Sequence, residues 1–359
     1  MLSFLDLTVL EGNRVPKKSV KIPIINYSGL YKHQHKSAGS GIGVKVNYMR
    51  NYLTLRKGLL FNYFLKLRHR RKYNQSIYSQ MLTKNGILGI KVSQKLKDEI
   101  LLRFSDNIKY VMSKRQSFFD YERAVVQCID MLCNINEKGV DYLYFNKLCS
   151  DLGIYDVIQS HKKMPMQLKF VALQINDSTD KGILSSCEDK EGNLPITKYM
   201  HIDSNIDSMK CLLYLNNSVR QGRGSFSYVV GSHKSESQHK LAARKACDVT
   251  NIESKKDDSQ INIFSTLPKI FQHKANFGND LYISHHDRDI DTLIANEVYV
   301  EEPIASGCIF NPDGIHRGGF FNEEGERIML QFLFEPKKDP IFLIRLGGKI
   351  KRAIFRIFE

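Results

Sequence analysis

From residue 168 onward the chain is written as short apolar runs parted by polar turns: LKFVALQIN, CLLYLNN, SFSYVVG, EVYVEEP, GCIFNP and RIMLQFLF. These runs have the length of strands and are rich in Val, Ile, Tyr and Phe. Most are joined with no long helix between them, which predicts an antiparallel barrel or jelly roll. The exception is residues 234–296, a polar and charged insertion.

Upstream the period changes. After Ser93, a candidate N-cap, Leu96, Ile100, Phe104 and Ile108 recur every fourth residue. Val125, Cys128, Ile129 and Leu132 mark a second apolar face, and Tyr142, Phe145, Leu148, Cys149 and Leu152 a third that stops at Gly153. The expected fold class is therefore mainly β with flanking helices: a helical region over 93–153 leading into a jelly roll over 168–336, together a domain spanning 81–336.

The formal charge of +15 belongs to the ends of the chain. Residues 1–80 carry 15 Lys and Arg against Asp6 and Glu11, and residues 337–359 carry 7 against Asp339 and Glu359. Both ends mix basic and apolar residues, as in LRKGLLFNYFLKLRHRRKYN and FLIRLGGKIKRAIFRIFE. That composition suits a helix lying on an anionic membrane surface, or one packed on its own domain with a solvated rim. No apolar run reaches transmembrane length and Met1–Leu10 lacks a basic start, so the expected location is cytoplasmic, and peripheral to the inner face of a membrane if the basic ends dock there. Seven scattered cysteines, none in a CxxC pair, are expected to be reduced packing residues.

In YMHIDSN, just before CLLYL, His201 and Asp203 are two apart, and on a strand such residues share a face. Alone, an H-x-D is best read as a solvated surface pair. His316, after the turn NPDG, is a candidate third ligand, and Arg327 opens the next strand eleven residues later. Two histidines and a carboxylate can hold Fe(II) on one face of an octahedron and leave positions open. An arginine beside them offers a planar fork for a carboxylate.

This order of motifs resembles the phytanoyl-CoA dioxygenase family of Fe(II)- and 2-oxoglutarate-dependent oxygenases. The resemblance rests on H-I-D at 201–203, CLLYLNN, GRGSFSYVVGSHK at 222–234, G-C-I-F with His316, and Arg327; it spans about residues 84–335. It implies a double-stranded β-helix (cupin-like) core, iron held by His201, Asp203 and His316, and 2-oxoglutarate bound at its distal carboxylate by Arg327. It further implies use of O2 with release of succinate and CO2, and hydroxylation of an aliphatic C–H in a small-molecule or lipid- or glycan-linked substrate. Asp203 favours hydroxylation over the related halogenases, which lack the carboxylate. Gln174 and Asn176, alternate residues of LKFVALQIN, are candidates to face the interior and touch the cosubstrate. The family often has an aromatic after H-x-D where this chain has Leu212, Leu213 and Tyr214.

Other residues have blander expected roles. His233 of GSHK is expected to shape a turn, Arg317 to point away from the side taken by His316, and SHHDRD at 284–289 to be an exposed polar loop bordering the substrate. The competing functions are a non-catalytic membrane-surface module on the same fold and a nucleic-acid-binding module. The second finds clustered Lys and Arg but no recognition helix, zinc finger or aromatic RNA-binding signature.

Overall fold

The computed structural model describes residues 6–8, 42–114, 119–120, 125–128, 140–177, 203, 205, 207–217, 219–234, 242, 246, 295–319, 321 and 324–337. His201, SHHDRD, nearly all of the insertion and the tail 338–359 lie outside the described residues.

Among the described residues, eleven strands form two antiparallel sheets. The RIMLQFLF run becomes β11 (Glu326–Pro336), paired on one edge with β5 (Met166–Asp177) and on the other with β6 (Met209–Tyr214). The large sheet continues through β9 (Gly307–Phe310), β2 (Ile87–Lys91) and β1 (Asp6–Thr8) on the β6 side, and through β4 (Val125–Cys128) and β3 (Phe119–Asp120) on the β5 side. The small sheet runs β10 (His316–Arg317), β7 (Ser227–Val229), β8 (Glu297–Tyr299).

The period of two divides the large sheet into two chemistries. Leu330, Phe332 and Phe334 of β11, Val171, Leu173 and Ile175 of β5 and Cys211 and Leu213 of β6 join one core with the helices. These helices are α1 (Ile42–His69), α2 (Ile77–Asn85), α3 (Gln94–Arg103), α4 (Ser105–Ser113), α5 (Val140–Asp151) and α6 (Ile154–Lys162). On the other face, Met329, Leu212, Tyr214 and Phe310 pack with Phe226, Tyr228 and Val298 of the small sheet region. The second core therefore lies between the sheets, where the polar residues of interest also lie. Among the described residues no helix is long and apolar enough to cross a membrane. Cys149, Cys211 and Cys308 are buried free thiols, and burial pushes the latter two well above the ordinary thiol range.

Local signals explain the helix limits. The Ser93 hydroxyl accepts from Leu96 N at 3.3 Å at the start of α3, and Ser76 does the same for Ser79 N at the start of α2. Two expectations need correction. The four-residue repeat from Leu96 to Ile108 spans two helices, because a step of four overshoots the helical 3.6 and the chain resets at Phe104, which has φ −105 and ψ 15. Val125 and Cys128, expected on a helix, lie on β4, where Val126 pairs with Ile175 and Cys128 with Leu173; Ile129 and Leu132 lie outside the described residues.

Phe145 shows what joins helices to sheet. Its ring stacks on Phe104 (5.1 Å, 12°) and meets Phe332 edge-on (5.7 Å, 77°), with no exposed surface. Phe145→Ala is expected to lower the unfolding free energy by about 3–5 kcal/mol in denaturant titrations, from lost transfer energy plus a cavity.

Candidate functional site

The NPDGIH turn is held on several sides. Asn311 accepts from Asp313 N at 3.1 Å through its side chain and from Gly314 N at 3.0 Å through its carbonyl. The Tyr228 hydroxyl donates to the same carbonyl at 3.0 Å, and Ile315 N donates to the Ser232 hydroxyl at 2.7 Å. Gly314 is needed here because a Cβ would fall 1.9 Å from the Tyr228 oxygen. The GSHK segment therefore contributes Ser232, which pins the residue just before His316.

His316 is buried beside Phe310, Phe226 and Tyr228, with ring centroids 5.1, 5.6 and 6.4 Å away. Its Nδ1 donates to the Gly314 carbonyl at 2.9 Å, so in the neutral ring the lone pair lies on Nε2. That nitrogen lies 3.6 Å from Asp203 Oδ2. Two groups at this separation can share one cation as ligands.

Asp203 comes to this place through backbone and side-chain contacts. Its N–H donates to the Pro312 carbonyl at 3.1 Å, and Lys210 Nζ lies 2.8 Å from Oδ2. Lys210 was not singled out from the sequence, although a signal existed. It shares the alternation of Leu212 and Tyr214, so period two places a lysine on the inner face of an otherwise apolar strand. Farther along the same segment, Asp207 has φ 52 and is held by Asn62 Nδ2 at 3.0 Å and Lys66 Nζ at 2.6 Å, both from α1.

Arg327 occupies the other end of the interior and is only 4% exposed. Its Nη2 donates to Asn176 Oδ1 at 2.5 Å and its Nη1 to the Gly224 carbonyl. The pairing follows from register, since Arg327 and Asn176 are direct partners across β11 and β5. Among the described residues Nε has no hydrogen-bond partner and the guanidinium has no acidic one. Burial lowers its pKa, partly opposed by the nearby Tyr214 oxygen. Arg317 behaves oppositely: burial pulls its pKa down, but a two-point pair with Glu297 at 2.7 Å for each bond, helped by Tyr299, outweighs it and raises the pKa. It is already committed to Glu297. Gln174 is buried and donates to Gln331 Oε1 at 3.0 Å.

One chain of contacts links the two ends. Phe226 has its ring beside His316, and its N–H donates at 2.9 Å to the hydroxyl of Tyr214, which pairs across the ladder with Met329, two residues from Arg327 on the same face of β11. Lys210 and Tyr214 stand four residues apart on β6, about 13 Å of extended strand. Leu212 lies between them on the same face.

His233 lies in a 3-10 turn (Ser232–Lys234), its Nε2 3.1 Å from the Thr83 carbonyl, while the Thr83 hydroxyl lies 2.8 Å from His161 Nδ1. It ties GSHK to α2. Burial, with Lys234 and Lys162 nearby, holds its pKa down to about 4, and burial holds His161 well below the imidazole range. An unfolded histidine near 6.5 takes its proton first, so stability is full above pH 6.5 and is lost as pH falls toward 4. The loss assigned to His233 is about 3 kcal/mol. Urea unfolding at pH 7 and pH 4.5 should show it, and His233→Asn should flatten that part of the dependence.

No protein-family model and no curated protein matches the chain. Among solved structures it is similar to the non-heme alpha-ketoglutarate-dependent carbocyclase SnoK from nogalamycin biosynthesis, at 13% identity and TM-score 0.40, covering 73% of this chain and 84% of that one. It is similar to the epimerase SnoN of the same biosynthesis, at 11% and 0.41, covering 72% and 82%. It is also similar to HygX from Streptomyces hygroscopicus, solved with nickel and 2-oxoglutarate, at 13% and 0.41, covering 74% and 88%.

Proposed function

We propose that this chain is an Fe(II)- and 2-oxoglutarate-dependent oxygenase on a double-stranded β-helix. It hydroxylates an aliphatic C–H bond of a small-molecule or lipid- or glycan-linked substrate and releases succinate and CO2. The observation that carries this reading is a buried Arg327 with no acidic partner among the described residues, enclosed with a carboxylate and an imidazole whose facing atoms are 3.6 Å apart. A buried cation is costly until an anion meets it, and a dicarboxylate bound to a metal at its other end supplies that anion.

The donor set fits the implied groups. His201, Asp203 and His316 would hold the iron, and Arg327 with Asn176 would hold the distal carboxylate. When bound, iron and 2-oxoglutarate supply the oxidising power drawn from O2. The chain itself orients and shields. The Gly314 carbonyl keeps the His316 ring turned so that Nε2 faces inward, and Lys210 holds the Asp203 carboxylate in place. Leu212 and Met329 offer apolar surface to methylene groups between the ends, with Gln174 tethered beside them. Phe226, Tyr228 and Phe310 keep water from the imidazole side.

An anaerobic titration of the purified chain with Fe(II) and 2-oxoglutarate tests the reading. A weak visible charge-transfer band that needs both additions is expected, followed by succinate release in air. A chain that binds neither Fe(II) nor 2-oxoglutarate would end the proposal.

A further inference from the structure

We infer that α1 is a docking helix for an anionic phospholipid surface. One face of α1 is committed to the protein: Tyr48, Tyr52 and Leu65 are buried, and Asn62 and Lys66 hold Asp207. A second face is apolar and open. Val46, Leu53, Leu60 and Leu67 recur every seventh residue with Met49 and Tyr63 three after the first and third, and all six are exposed, four of them by 55–59%. On a helical projection these six fall within about 100° of arc. Arg50, Lys57 and Arg68, exposed in turn, line one edge of the stripe, and Arg56 lies within it.

Charge selects the occupant. The 28 residues of α1 contain no Asp or Glu, and exposed Arg70, Arg71 and Lys72 follow directly. A seven-residue apolar repeat suits a coiled coil, but a second copy would bring Arg50 and Lys57 against its own like charges, with Arg56 in the seam. A nucleic acid would meet the basic edge and leave the apolar stripe uncovered. An anionic bilayer satisfies both, since apolar side chains enter the headgroup boundary while Arg and Lys meet phosphates. The docked face lies on the helix that braces the segment leading from Asp203 to β6, so a lipid surface would be brought to that side of the interior. The inference does not depend on the oxygenase reading.

Cosedimentation of the full chain with phosphatidylcholine vesicles, with and without phosphatidylglycerol, tests it. Binding is expected only with phosphatidylglycerol and should weaken as salt rises. Leu53→Gln/Leu60→Gln and, separately, Arg56→Gln/Lys57→Gln change exposed side chains; the first should lower vesicle affinity on the order of 100-fold and the second on the order of 10-fold. A thermal melt and the Fe(II) titration should match those of the unsubstituted chain. Equal binding to neutral vesicles would overturn the inference, as would wild-type binding by the leucine variant. A concentration-dependent dimer that the leucine variant abolishes, with no vesicle binding, would assign the face to a second copy instead.

Discussion

Asp203→Ala and His316→Ala are each expected to lower Fe(II) affinity by at least about 100-fold, the scale that even outer partners of metal ligands reach. In both variants the visible band formed with Fe(II) and 2-oxoglutarate should disappear. His316 has its second nitrogen committed to the Gly314 carbonyl, so Nε2 is the atom left to ligate, and it faces Asp203 Oδ2 at 3.6 Å. In the Asp203 variant Lys210 loses its 2.8 Å carboxylate partner and leaves a positive charge where a dication would bind. Calorimetric titration with Fe(II) under argon gives the affinities directly. Near-wild-type metal binding in both variants would remove the pair from any metal site.

The second large effect falls on Arg327. Arg327→Met should weaken 2-oxoglutarate binding on the order of 100-fold, because removing one partner of a buried charge pair costs about 2–5 kcal/mol. The ligand-free protein should respond very differently. It loses bonds to Asn176 and to the Gly224 carbonyl, worth about 1–3 kcal/mol for each acceptor left bare. It also no longer strips a guanidinium of water, which costs several kcal/mol. The net change in ligand-free stability is therefore expected to stay within about 2 kcal/mol. The wild-type protein with Fe(II) should gain about 2.7 kcal/mol at a 2-oxoglutarate concentration of about 100 Kd. Thermal melts with and without the ligand separate the cases. A variant that keeps the full ligand-induced shift would show that Arg327 does not receive the carboxylate.

Much of the architecture was legible because its signals are local. Run length and content of Val, Ile, Tyr and Phe identified LKFVALQIN and RIMLQFLF as strands, and the period of two put Gln174 and Asn176 on one face. Ser93 announced the start of α3 through a bond made three residues away. Val125 and Cys128 misled because an i, i+3 spacing in a short run satisfies a helix as readily as the edge of a sheet. What places them on β4 is the pairing of that strand with β5, Val126 with Ile175 and Cys128 with Leu173, more than forty residues away.

The sequence by itself determined which chemical groups the chain can offer and roughly where along it they fall: an H-x-D before one strand, a histidine after a Pro-Asp-Gly turn, and an arginine opening the next strand. Only the tertiary structure decided which of them have partners. It gave Arg317 to Glu297 and left Arg327 buried against Asn176 with no acid among the described residues. It also set Lys210 on Asp203 and laid α1 on Asp207 across 141 residues of chain. The reason is physical. A charge is recognisable from its own residue, but its cost and its use depend on the desolvation and counter-charge that distant segments supply when they pack around it.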